Sequence, residues 1–265
     1  IFMKENMNTK VRGRKDLENL SIPFIGEIPQ YLSAKKKLGF DKHTQSVMKA
    51  IVVKEGNRNI INEAFRVLRS NIDFMAGKDS GQNVFMLTSF NPGSGKSFLA
   101  MNIAMSFAIK KKRILVIDGD LRHGSTSSYV DSPKTGLSDY LGNRVSDWKE
   151  IIVKDEKYDN LHIIPIGTVP PNPTELLEDG KLATLIEVLR SEYDYIFIDC
   201  PPIDIVADAQ IIEKLADRTV FVVRSGLLDR SMLPELENIY QEKRFKNLSV
   251  ILNGTESAGG RYGYR

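Results

Sequence analysis

Between Thr88 and Ser97 the chain reads Thr88-Ser89-Phe90-Asn91-Pro92-Gly93-Ser94-Gly95-Lys96-Ser97, with the strand-like run NVFMLTS leading into it and an apolar helical run starting at Lys96. Glycines in such a loop let successive backbone N–H groups wrap phosphate oxygens, and the helix that follows points its positive end at them. A lysine neutralises the outer phosphates and a hydroxyl suits Mg2+. Gly93, Gly95, Lys96 and Ser97 supply these parts. The first glycine of the GxxxxGK[ST] pattern is Phe90 here, so the strict pattern fails at one position.

Two further apolar runs end in acids. Ile114-Leu115-Val116-Ile117 leads into Asp118-Gly119-Asp120-Leu121-Arg122, and Tyr195-Ile196-Phe197-Ile198 leads into Asp199-Cys200-Pro201-Pro202. In open α/β sheets ligands bind beyond the carboxyl ends of the strands, so the three segments should converge on one crevice. Mg2+ takes hard oxygen ligands and keeps several waters, which suits Ser97 with Asp118 and Asp199 nearby.

The runs RILVID, NLHIIPI, YDYIFID, DRTVFVV and NLSVILN join NVFMLTS as Val/Ile/Phe stretches separated by helical patterns. Continuous apolar runs of this kind are strands covered on both faces. The expected fold is α/β, a mostly parallel sheet of about six or more strands flanked by helices. Helices are expected from Lys96, Thr174 and Ser231 and near Ala207, with a broken segment containing GLSDYL and Trp148. Ile60, Ile61, Ala64, Phe65, Leu68, Ile72 and Met75 recur at helical spacing and predict a helix over 59–76, ended by Asp79-Ser80-Gly81. LENLSIPFIGEIP, punctuated by Pro23, Gly26 and Pro29, reads as a small strand with turns.

The 265 residues are 42% apolar and 27% charged, which excludes disordered, collagen-like and membrane-embedded classes. The net charge of +3 hides an asymmetry: residues 1–60 hold 12 Lys and Arg against 6 Asp and Glu, which leaves −3 for the rest. The basic stretch around Lys35-Lys36-Lys37 lacks interleaved aromatics, so it reads as a solvated loop and no nucleic-acid partner is expected. Cys200, the single cysteine, forbids an internal disulfide and reads as a small residue filling a strand end. His43, His123 and His162 are too scattered for a metal cluster.

SFNPGSGKS, ILVIDGDLR and IFIDCPP together resemble the three nucleotide motifs of the bacterial tyrosine kinases, relatives of the Min/Par branch of P-loop ATPases. That family's loops also lack the first glycine. Partitioning ATPases carry a signature lysine five positions before the loop lysine, where this chain has Asn91. Glu63-Ala64-Phe65-Arg66-Val67-Leu68-Arg69 resembles the family's ExxRxxR motif, so Glu63, Arg66 and Arg69 are expected to join copies into a ring; the bland alternative is a solvated face with an intrahelical pair. Gly259-Gly260-Arg261-Tyr262-Gly263-Tyr264-Arg265 resembles, sparsely, the family's tyrosine cluster, which makes Tyr262 and Tyr264 the expected phosphoacceptors.

The resemblance implies ATP and Mg2+ as cofactors and γ-phosphoryl transfer to tyrosine. It implies Lys96, Asp118, Asp120 and Asp199 as catalytic, with Asp118 the first choice of base and Asp120 the second. Nucleotide contacts are expected from Pro92, Gly93, Ser94, Gly95, Lys96, Ser97, Phe98, Arg122 and Asn253. Asn253 resembles an adenine-contacting asparagine but equally fits a turn former, and Arg122 and Arg224 are cations for phosphate or an interface. The proline-rich stretch from Gly167 to Asp179 also resembles a family loop, with Thr174 expected to cap the following helix.

The implied organisation is a membrane-proximal arm over 1–57, a P-loop kinase domain over 58–255 and a flexible tyrosine tail over 256–265. The chain opens on Ile1-Phe2 followed by basic residues, as expected on the cytoplasmic side of a membrane-spanning segment. The resemblance therefore implies a piece of a longer protein at the cytoplasmic face of the inner membrane, acting in capsule or exopolysaccharide production. Implied partners are further copies of itself, a transmembrane co-polymerase portion and a phosphotyrosine phosphatase. The competing readings are a Min/Par-like ATPase and a nucleotide-switched assembly module.

Overall fold

Strands β1 (Phe24–Pro29), β2 (Val84–Thr88), β3 (Ile114–Asp118), β4 (Val153–Lys154), β5 (Leu161–Ile164), β6 (Tyr195–Asp199), β7 (Arg218–Arg224) and β8 (Ser249–Thr255) form one sheet in the order β1-β8-β7-β2-β6-β3-β5-β4. The computed structural model describes residues 9–31, 50–77, 81–203 and 207–256. Every pairing is parallel except β4 with β5. β2, β3 and β6 are buried at every position, as continuous apolar runs require. β4 has two residues and gives no alternation or apolar run to read, so the sequence reading missed it.

Helix α1 (Ile60–Ala76) and the P-loop helix α2 (Lys96–Ala108) cover one face of the sheet. Asn59 caps α1 by accepting from the Asn62 amide at 2.9 Å. Phe65, Leu68 and Ile72 are fully buried, and each such side chain contributes about 1.5–3 kcal/mol relative to exposure. The helix ends at Ala76 because Gly77 turns the chain at φ 68°, ahead of the stop expected from Asp79-Ser80-Gly81; Asp79 and Ser80 lie outside the described residues. Ile60, expected on the apolar stripe, points outward, while the adjoining Ile61 is buried.

The other face carries α3 (Leu137–Leu141), α4 (Pro173–Glu178), α5 (Lys181–Glu192), α6 (Asp208–Glu213) and α7 (Leu233–Gln241). The single helix expected from Thr174 is two, broken at Gly180 with φ 81°. Asn172 occupies the N-cap position of α4, and Thr174 instead donates to the Asp208 carboxylate at 2.7 Å.

The segment read as an N-terminal arm contributes to the sheet itself. β1 is its edge strand, parallel to β8, and Val11 is fully buried with backbone bonds to Leu228 and Gly226. Among the described residues no helix is long and apolar enough to cross a membrane. Tyr262, Tyr264, His43 and Lys35-Lys36-Lys37 lie outside the described residues.

Candidate active site

β2 delivers the chain to the phosphate loop. Asn91 O accepts from both Ser89 Oγ and Ser94 Oγ at 2.8 Å, which closes the turn. Gly93 and Gly95 take φ of 74° and 91°, a region glycine enters without steric penalty. Phe90, standing where the pattern has glycine, faces the core: it is 3% exposed and meets Phe221 edge-on at 4.9 Å between ring centroids.

The loop is clasped from the sheet. Asn253, within β8, donates to Ser94 O at 2.9 Å, and Arg224 at the end of β7 donates to Gly93 O at 3.1 Å. Asn253 is therefore neither a turn former nor free of the loop. A Cβ on Gly95 would lie 2.3 Å from Asn253 Nδ2, so the clasp itself requires glycine there. A cleft of about 450 Å³ opens in front of the loop, lined among others by Gly95, Lys96, Ser97, Phe98, His123 and Tyr129. Lys96 Nζ reaches Ser89 Oγ at 3.4 Å.

Asp118 and Asp199 are register partners on adjacent strands. Asp118 Oδ2 accepts from the Ser127 amide at 2.6 Å and from Ser127 Oγ at 2.7 Å. Asp199 Oδ2 accepts from Ser97 Oγ at 2.5 Å and from Thr126 Oγ1 at 2.8 Å. The Oδ1 atom of each is buried without a hydrogen-bond partner. Burial pushes the Asp118 carboxyl up to about 8, with the Asp199 charge adding to the rise. Burial raises Asp199 too, offset in part by the Lys96 ammonium.

Two unpartnered carboxylate oxygens beside a serine hydroxyl fit a hard cation or its waters. Among the described residues no three His, Cys, Asp or Glu side chains cluster as a metal cage, so such a cation would depend on phosphate oxygens and water as well.

Asp120 lies a step beyond, accepting from His123 Nδ1 at 3.1 Å. Arg122, expected at the nucleotide, bonds Asp208 at 3.1 Å and Thr174 at 3.0 Å, tying α4 to α6. Glu63, Arg66 and Arg69 do not join the crevice. Glu63 and Arg66 form the intrahelical pair, Arg66 also donates to Asn57 O at 2.5 Å, and Arg69 donates to Ser106 O at 2.9 Å. Burial lowers the Arg69 pKa. Sequence reasoning missed Thr126 and Ser127; the only available signal was the hydroxyl-rich run Ser125 to Ser128 just after Asp120.

A family model described as an AAA domain matches residues 82–228. The chain is 34% identical over 210 residues to tyrosine-protein kinase YwqD of Bacillus subtilis strain 168, covering 78% of this chain and 87% of that one. It is 34% identical over 273 residues to a Klebsiella pneumoniae protein named for a tyrosine-protein kinase in the cps region, covering 99% of this chain but 36% of the longer relative. Among solved structures, the kinase domain of Escherichia coli tyrosine kinase ETK superposes with a TM-score of 0.80 at 28% identity, covering 96% of this chain and 99% of that one. The Pyrococcus horikoshii septum site-determining protein MinD shares the fold alone, with a TM-score of 0.53 at 20% identity over 67% of this chain and 71% of that one. With the phosphate loop and both strand-end carboxylates assembled in one crevice, and with this likeness across nearly its whole length, the chain belongs to the bacterial tyrosine-protein kinases.

Proposed function

We propose that this kinase transfers the γ-phosphoryl group of ATP to tyrosines of its own C-terminal tail, Tyr262 and Tyr264, presented by a neighbouring copy. The observation that carries the reading is the cleft lined by Lys96 and Ser97, with Ser97 bonded to the buried Asp199. In the reaction the tyrosine oxygen bonds to the γ-phosphorus, the bond to the bridging oxygen of ADP breaks, and the phenolic proton passes to a carboxylate. Phosphoryl transfer of this kind needs positioning and charge neutralisation more than covalent chemistry.

The loop amides from Gly93 to Ser97 and the Lys96 ammonium bind the outer phosphates, while Ser97, Asp118 and Asp199 are the residues that would hold Mg2+. Held there, the ion would supply charge neutralisation at the outer phosphates. Asp118 is fully buried, so it orients rather than reaches outward. Asp120, bonded to the cleft-lining His123, is the better placed carboxylate to receive the tyrosine proton, which reverses the order expected from the motif alone.

The longer Klebsiella relative and the basic first 60 residues support attachment to a membrane-spanning portion at the cytoplasmic face, and the cps region in that relative's name supports a role in capsule or exopolysaccharide production; a phosphatase that reverses the modification belongs to the same proposal. Purified protein incubated with Mg2+ and ATP should gain phosphate by intact mass, mapping to Tyr262 and Tyr264. Lys96→Met should abolish the gain. Phosphate release without tail labelling would replace this reading with that of a hydrolysing ATPase.

A further inference from the structure

The buried carboxylates Asp118 and Asp199 are each satisfied at one oxygen only, and the satisfying groups come from neighbouring residues. Thr126 and Ser127 are 0% and 1% exposed, although they sit in a run of small polar residues that would ordinarily face water. Burying two hydroxyls is unfavourable unless both are bonded. Thr126 Oγ1 donates to Asp199 Oδ2 on β6, and Ser127 donates through both its amide and its hydroxyl to Asp118 Oδ2 on β3. Ser127 Oγ also accepts from the Ile166 amide at 2.8 Å, which anchors the turn just beyond the end of β5. Gly124 makes the approach at φ 59°; a Cβ there would lie 2.7 Å from Ile166 Cδ1.

We infer that Thr126 and Ser127 are positioning residues of the phosphotransfer site. One dipeptide spans two adjacent strands, fixes one oxygen of each carboxylate and leaves both Oδ1 atoms as the pair available to Mg2+ or its waters. The inference rests on the reading of this crevice as the Mg-nucleotide site. A carboxylate pinned at one oxygen cannot rotate away from its ion, and partners of this kind are typically worth about 10–100-fold in metal affinity or activity.

The test is binding of a fluorescent ADP analogue, titrated with Mg2+ and repeated in chelator. Thr126→Val keeps the side chain's shape and removes the hydroxyl. It should raise the half-saturating Mg2+ concentration about tenfold while leaving binding in chelator unchanged. Thr126→Ser should restore the wild-type midpoint to within about twofold, a rescue that mere space filling would not produce. Ser127→Ala should shift the midpoint less, because its backbone N–H still reaches Asp118. A Thr126→Val protein with the wild-type midpoint overturns the inference, as does an equal loss in chelator or failure of the Ser variant to rescue. Thermal melts by circular dichroism accompany each variant; if Thr126→Val does not fold, Ser127→Ala carries the comparison, and an unshifted midpoint there overturns the inference. Because ADP binding is read rather than phosphotyrosine, absence of tail labelling in the wild type counts against the kinase mechanism and leaves this result standing.

Discussion

Gly95 is the residue at which backbone and side-chain demands coincide, since its φ of 91° and the closeness of Asn253 Nδ2 each exclude a side chain. The Asn253 bond to Ser94 O holds the loop whose amides are proposed above to bind phosphate. Asn253→Ala should therefore weaken ADP binding while leaving the fold intact; one net hydrogen bond of about 1 kcal/mol corresponds to roughly a fivefold rise in Kd, measurable by calorimetry. A second expectation concerns Asp118. Its folded-state pKa is raised, so between the unfolded carboxylate value near 4 and about 8 the folded chain holds a proton that the unfolded chain has released. Stability in chelator should then be greatest at low pH within that window and fall as pH rises towards about 8. Asp118→Asn should flatten this decline and melt above the wild type at the alkaline end, as calorimetric scans across pH would read. That Lys96, Ser97, Asp118 and Asp199 meet in one crevice was legible because each stands at or just beyond the end of a continuous apolar run, and the carboxyl ends of neighbouring strands converge. Thr126 and Ser127 were not, since whether a Ser/Thr run faces water or a carboxylate depends on Gly124 and Ile166, which local pattern does not connect.

At the scale of elements, a strap over residues 50–54 lies between α1 and α2 and is gripped by an asparagine from each. Asn102 Oδ1 accepts from the Val52 and Val53 amides at 2.7 and 3.2 Å, and its Nδ2 donates to Ala50 O at 3.0 Å. Asn62 donates to Val52 O at 3.1 Å and accepts from the Lys54 amide at 2.8 Å. Because α2 begins at the loop lysine, the strap joins the phosphate helix to the helix that bears Glu63, Arg66 and Arg69. Asn102→Ala strands buried backbone groups, each costing about 1–3 kcal/mol, so urea denaturation should show a loss of at least about 2 kcal/mol. A loss under about 0.5 kcal/mol would mean that the strap contributes little. Neither asparagine stood out in the sequence, where a polar residue on an apolar helix reads as an outward position. The strands flanking the crevice were legible because both faces are covered. β4 and the break between α4 and α5 were not, because a two-residue ladder and a single Gly180 carry too little pattern.

For the molecule as a whole, the outward face of α1 is where an association between copies can be tested. The charged triplet of α1 has partners within its own chain, Glu63 with Arg66 and Arg69 with Ser106 O, and exposed ion pairs contribute about 0–1 kcal/mol. The same helix carries Ile60, Val67 and Phe74, exposed by 64%, 58% and 88% and spaced by seven residues, so they fall along one outward stripe. Large apolar side chains aligned in this way lower the free energy by leaving water together, whereas Arg66 and Arg69 would first have to give up existing bonds. If α1 joins copies, the apolar stripe should supply most of the association energy and the charges should set register. Light scattering of Phe74→Ser and of Val67→Ser should then give a smaller mass than the wild type at equal concentration. Added salt, which screens exposed charge but strengthens apolar association if anything, should leave the wild-type mass unchanged. Dissociation by salt with no effect of the two serine variants would assign the contact to Glu63, Arg66 and Arg69 instead, and the intrachain bonds seen here would have to exchange on assembly.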